Sequence, residues 1–170
     1  HFNDPEKREH IRRLLIRAAQ QKTIPIVNYN DPVSDEENRK MELAIRRSHG
    51  DQVVECVDND ETAAVIANLV HAKKLVLMTS TEGIYRDPAD PKTLVEQVTA
   101  KSMEELEEKV RQLQESCVGA SRAGANGAKA KLEYALKSAR QGTMVIIGHA
   151  RHRLSDLVEG RVACTRIGLE

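Results

Sequence analysis

The 170 residues carry 26 basic and 26 acidic side chains and only 2% aromatic ones, which argues against nucleic-acid recognition through a net field or through aromatic stacking platforms. No apolar run approaches the ~20 residues that cross a bilayer as a helix, and the start has no signal-peptide pattern, so a cytoplasmic chain without a membrane partner is expected. Three widely spaced cysteines, Cys56, Cys117 and Cys164, fit neither a disulfide framework nor a zinc site.

In chain order, Asp4 before Pro5 predicts a capped helix start, and Ile11, Leu14, Leu15, Ala18 and Ala19 follow at helical period. Thr23 to Val27 reads as a short strand with Pro25 near its beginning. A polar loop, Asn28 to Pro32, comes next. Ser34 and Glu37 have capping-box spacing and open a second helix towards Gly50. Gln52 to Val57 predicts a strand, and Thr62 to Val70 a helix packed deep against a sheet. Leu75-Val76-Leu77-Met78 has no polar alternation, the pattern of a fully buried strand. It opens into Thr79 to Pro88.

Ser102 and Glu105 repeat the capping-box spacing, and Met103, Leu106, Val110, Leu113 and Cys117 form one apolar side of the helix that follows. A small-residue loop, Gly119 to Gly127, leads from Asn126 into a helix with Leu132, Ala135, Leu136 and Ala139 inward, stopped by Gly142. Thr143 to Ile147 predicts another buried strand. His152 to Glu159 reads as a short helix and Arg161 to Ile167 as a last strand at a sheet edge. Strands alternating with helices predict an α/β fold, three layers with a mostly parallel sheet. Right-handed crossovers then gather the loops after Val27, Val57, Met78 and Ile147 on one rim, where α/β proteins bind small ligands.

Several residues on that rim suit chemistry, each with a plainer alternative. The stretch Gly124 to Lys131 joins a flexible loop to a helix start, whose free N–H groups and dipole favour an anion such as phosphate; Lys131 lies one turn in. The same stretch also reads as an ordinary turn with a solvated lysine. Asn28, Asn30 and Asp31 either turn the chain locally or hold a polar substrate and a cationic group. Asp58, Asn59 and Asp60 offer an N-cap, with Asp58 free to face a ligand. His149 and His152 beside Arg151 and Arg153 read as a solvated loop or an anion contact.

Taken in order, these segments resemble one family. Ile24-Pro25-Ile26-Val27-Asn28-Tyr29-Asn30-Asp31-Pro32-Val33 is similar to Ile-Pro-Ile-Ile-Asn-Glu-Asn-Asp-x-Val of glutamate 5-kinases. Asp58-Asn59-Asp60 resembles their Gly-Asp-Asn-Asp turn, and Leu77-Met78-Thr79 with Glu82-Gly83-Ile84-Tyr85 and Asp87-Pro88 resembles Leu-Leu-Thr-Asp-x-x-Gly-Leu-Tyr-x-x-Asp-Pro. Gly124 to Ala135 resembles Gly-Thr-Gly-Gly-Met-x-x-Lys-Leu-x-Ala-Ala, and Gly160 with Thr165 the closing Glu-Gly-x-x-x-Gly-Thr. Departures include Ser80 for Asp, Val57 for Gly, Ala125-Asn126 for Thr-Gly and Cys164 for Gly.

The resemblance to the amino acid kinase superfamily implies a carbamate kinase-like fold and γ-phosphoryl transfer from ATP to a carboxylate of a small amino acid. Its alternatives are a uridylate kinase-like nucleoside-monophosphate kinase and a non-catalytic nucleotide-sensing module. It implies ATP contacts at Thr79, Ser80, Tyr85, Asp87, Gly124, Gly127 and Lys131, catalytic roles for Asp31 and Lys131, and acceptor contacts at Asn28, Asn30 and Asp58. Mg2+ would accompany ATP, no residue serving as a dedicated metal ligand, and a homo-oligomer is expected. The resemblance also implies that residues 1–170 form a single unit, the nucleotide-binding carboxyl half of a kinase that lacks its N-terminal acceptor-binding half, and that the fragment alone is nearly inactive.

Overall fold

The computed structural model describes residues 4–27, 59–87, 89–116 and 127–170. The chain divides into two units, His1–Thr62 and Ala63–Glu170, with the boundary inside a helix. The predicted helix after Ser34, the strand Gln52 to Val57 and most of the glycine loop lie outside the described residues.

In the first unit, helix α1 (Pro5–Gln20) begins where the sequence places it, because the Asp4 carboxylate accepts from the Glu6 and Lys7 N–H groups and Pro5 needs no partner there. Its surface is held by local ion pairs, Glu9 with Arg12 at 2.8 Å and with Arg13 at 2.9 Å. The strand expected over 23–27 is not formed: these residues have no regular structure, and Ile24 and Ile26 are 89% and 97% exposed. A strand exists only through its ladder, and β-branched composition cannot make one without a paired neighbour.

The second unit is one four-stranded sheet with helices on both faces. Its elements are α2 (Asn59–Leu69), which crosses the unit boundary, β1 (Lys74–Thr79), β2 (Gln97–Ala100), α3 (Met103–Ser116), α4 (Ala128–Ala139), β3 (Met144–His149), α5 (Leu154–Glu159) and β4 (Thr165–Leu169). The strand order is β1-β3-β4-β2. β1 pairs parallel with β3, Thr79 opposite His149, and β2 parallel with β4, Gln97 opposite Arg166. β4 runs antiparallel to β3, with Thr165 opposite Ile147. Two of three pairings are thus parallel, as expected, and the central one is not.

One face buries Leu75, Leu77, Val145, Ile147, Ile167 and Val98 against Leu106, Val110 and Leu113 of α3, Leu132 and Ala135 of α4, and Ala64 and Ala67 of α2. The other packs Ile146 against Leu157 of α5 and Cys164. Three layers result, each helix turning its apolar stripe to the sheet. Helix α3 is started by Ser102, whose Oγ accepts from Glu105 N–H, while Glu105 Oε2 accepts from Lys101 N–H. Gly142 ends the α4 segment at φ +81°, a left-handed value that costs glycine little.

Two further expectations are corrected, and one strand was not foreseen. β1 is not fully buried: Leu75 and Leu77 face the core, Val76 is half-buried and Met78 is 46% exposed, since β1 lies at an end of the described sheet. β3, flanked on both sides, is the strand buried from Val145 to Gly148. The last strand starts at Thr165, four residues later than expected, and is interior, between β3 and β2. β2 itself was not expected, because only Val98 and Ala100 of its four residues point inward.

Candidate functional site

The topology brings four chain ends to one rim. β1 and β3 finish there side by side, at Thr79 and His149. β4, being antiparallel to β3, starts there with Thr165. Helix α4 runs back against β3, since Thr143 N–H, just before β3, donates to Ser138 O near the helix end at 3.2 Å. Twelve helical residues span about 18 Å and six strand residues about 20 Å, so the first turn of α4 stands level with the carboxyl ends of β1 and β3.

That first turn starts at Gly127, which makes no side-chain cap. Ala130 and Lys131 N–H groups fold back on Gly127 O at 3.1 and 3.2 Å. The N–H groups ahead of them therefore point out of the helix along its positive dipole end. Lys131 is half-buried, on the second turn of the same helix.

The loop after β1 is laid across the amino end of β4. Ile84 N–H donates to Thr165 Oγ1 at 2.8 Å, and a Cβ on Gly83 would stand 2.3 Å from that oxygen and 2.9 Å from Thr165 N. Only glycine allows so close an approach. Val95 N–H then donates to Ile84 O, and Tyr85 bridges Leu94, which holds Tyr85 half-buried beside the rim. Thr79 ends β1 with its carbonyl accepting from Ala150 N–H at 2.8 Å, and Ser80 is exposed. Asp87 is exposed, with Oδ1 accepting from Ala89 N–H at 2.9 Å, an Asx turn shaping the descent to Thr93.

The structure therefore brings Thr79, Ser80, Tyr85, Gly127 and Lys131 to one rim and places Asp87 in the turn beside it. Asn28, Asn30, Asp31, Asp58 and Gly124 lie outside the described residues. What the sequence reading missed is a contact between loops: Glu82 pairs with Arg151, and its Oε2 lies 2.6 Å from His152 Nε2. The pair His152/Arg151 is thus engaged with a carboxylate, and the half-buried rings of His149 and His152 meet edge to face at 6.3 Å. No local pattern signals this, since the partners are 69 and 70 residues apart.

Fold and rim together define an α/β protein in which a helix start without a side-chain cap, followed by Lys131, stands at the end of the sheet where two parallel strands finish. The chain belongs to the amino acid kinase family, whose sequence profile matches residues 2–149. Among curated relatives it is 31% identical to glutamate 5-kinase of Geobacillus kaustophilus over 98% of this chain and 41% of that protein. It is 30% identical to glutamate 5-kinase 1 of Bacillus subtilis, again over 98% of this chain and 41% of the relative. The chain thus spans about two-fifths of the length of these relatives. Its fold is similar to that of the carbamate kinase from Giardia lamblia bound to AMP-PNP, with a TM-score of 0.50 and 19% identity over 66% of this chain and 32% of that one.

Proposed function

We propose that this chain is the ATP-binding part of a phosphotransferase that moves the γ-phosphoryl group of ATP to a carboxylate of a small amino acid, as a glutamate 5-kinase does. The observation that carries the reading is the match, over 98% of the chain, to relatives named glutamate 5-kinase. The rim geometry supports it independently, because a polyanion needs N–H donors and a cation and both stand at the start of α4.

In this reading Gly124, Gly127 and Lys131 hold the phosphates, while Thr79, Ser80, Tyr85 and Asp87 line the adenine and ribose. Asp31 organises the catalytic lysines, and Asn28, Asn30 and Asp58 face the acceptor. During transfer the bond between the bridging oxygen and the γ-phosphorus breaks, an acceptor carboxylate oxygen bonds to that phosphorus, and ADP leaves. Lys131 offsets charge on the moving group, so it acts on binding and on the barrier. The described rim offers N–H groups and a lysine, a receptor for anions. Magnesium would therefore arrive with ATP, ligated mainly by phosphate oxygens and water.

The test is Lys131→Ala in the full-length protein. Loss of a charge-assisted phosphate contact is expected to weaken ATP binding by about 1.5–3 kcal/mol, read by calorimetry. Unchanged affinity would reject Lys131 as a phosphate ligand. An ATP-consumption screen with amino acids and nucleoside monophosphates then identifies the acceptor, and turnover with a monophosphate alone would reject the carboxylate.

A further inference from the structure

We propose that Glu82, gripped by Arg151 and His152, is a positioning residue that sets the loop after β1 for the base and ribose of the nucleotide; the inference rests on the function proposed above. Residues 80–84 make no strand ladder, so their placement depends on a few attachments. Thr165 Oγ1 fixes the far side at Ile84, and Ala150 N–H fixes the near side at Thr79. Between these points stands Glu82, with Oε1 taken by Arg151 and Oε2 by His152.

Three features make this a built contact. The Glu82 and His152 side chains are only 17% and 20% exposed. Arg151 is itself preset, its N–H donating to His149 Nδ1 at 3.0 Å while His152 N–H donates to His149 O at 3.1 Å. Both partners belong to the loop after β3, so the clasp ties together the loops that follow two adjacent parallel strands. Glu82 need touch no nucleotide to do this.

The experiment measures equilibrium binding of AMP-PNP, ADP and AMP to the full-length protein, with melting temperature as a fold check. Glu82→Gln keeps the shape and a hydrogen bond to His152 but removes the charge. Expected is a loss of affinity of about 5- to 30-fold, the same for all three nucleotides because each carries base and ribose, with an unchanged melting temperature. Lys131→Ala, in contrast, is expected to discriminate among them by phosphate number. Arg151→Gln should reproduce the uniform loss, and the double variant should bind no worse than Glu82→Gln, because the two side chains act as one unit.

Wild-type affinities in both single variants, or losses that add in the double variant, overturn the clasp while leaving the nucleotide site standing. If Glu82→Gln fails to fold, Arg151→Gln, whose parent side chain is 63% exposed, carries the test. Failure of the wild-type protein to bind any of the three nucleotides overturns the nucleotide reading and the clasp with it.

Discussion

Thr165 is a polar side chain with no exposed surface, and its one hydroxyl holds a loop that no ladder holds. Thr165→Val keeps the volume but leaves Ile84 N–H buried without an acceptor, at a cost of about 1–3 kcal/mol. A lowered urea midpoint is the expected outcome, with Thr165→Ser near wild type; an unchanged midpoint for Val would show the bond contributes nothing. Glu9 makes the opposite case, a charge that works at the surface. Hydrogen bonds from Arg12 and then Arg13 hold its carboxyl down at about 2, against an ordinary 4.5. Because the folded value is the lower one, this contribution to α1 is present above about pH 4.5 and fades as pH falls through about 2. A carbon-13 titration of the Glu9 carboxyl is expected to show that low midpoint, rising towards 4.5 in Arg12→Gln.

At the scale of elements, what could be read from sequence was what the local chain decides. Helix α3 carries its own start, α4 its own stop and both an apolar stripe, so Ser102, Gly142 and Leu132 were legible as such. β3 was legible because burial on both faces leaves a continuous apolar run. β2 was not, since a strand of two inward residues among Gln97 and Thr99 has almost no period to detect. The loop after β1 and the start of α4 were singled out by strand, loop and helix-start mechanics, the family's motifs then assigned roles to residues within them, and the clasp at Glu82 escaped both because it is purely tertiary.

β2 also shows how an end strand is managed. In its pairing with β4, Glu96 O and Ala100 O accept from Arg166 and Glu170 N–H, so the backbone groups of Gln97 and Thr99 turn the other way. Thr99 O there accepts from Lys109 Nζ at 2.7 Å, and Nζ stands 2.7 Å from Glu105 as well. Among the described residues no strand pairs with that side of β2, and a lysine lying across such an edge discourages a foreign strand from pairing. Lys109→Ala is expected to cost little stability and to raise self-association at high concentration, seen by light scattering; a strictly unchanged profile would assign the edge's protection elsewhere.

Over the second unit as a whole, the two parallel pairs interleave along the chain, β1 with β3 and β2 with β4. Each partner lies about seventy residues from the other, as Thr79 from His149 and Gln97 from Arg166. Such non-local pairing slows folding, so refolding on a scale of milliseconds to seconds is expected, measured by stopped-flow dilution from urea. Microsecond recovery would mean that the helices, not the sheet, set the barrier.

The same interleaving governs how the protein is born. β2 leaves the ribosome before its ladder partner β4, so the backbone groups of β2 that pair with β4 stay without that partner until residues 165–169 have cleared the exit tunnel. During synthesis the nascent sheet can advance no further than β1 beside β3, and its closing step belongs to the moments after translation has passed Leu169.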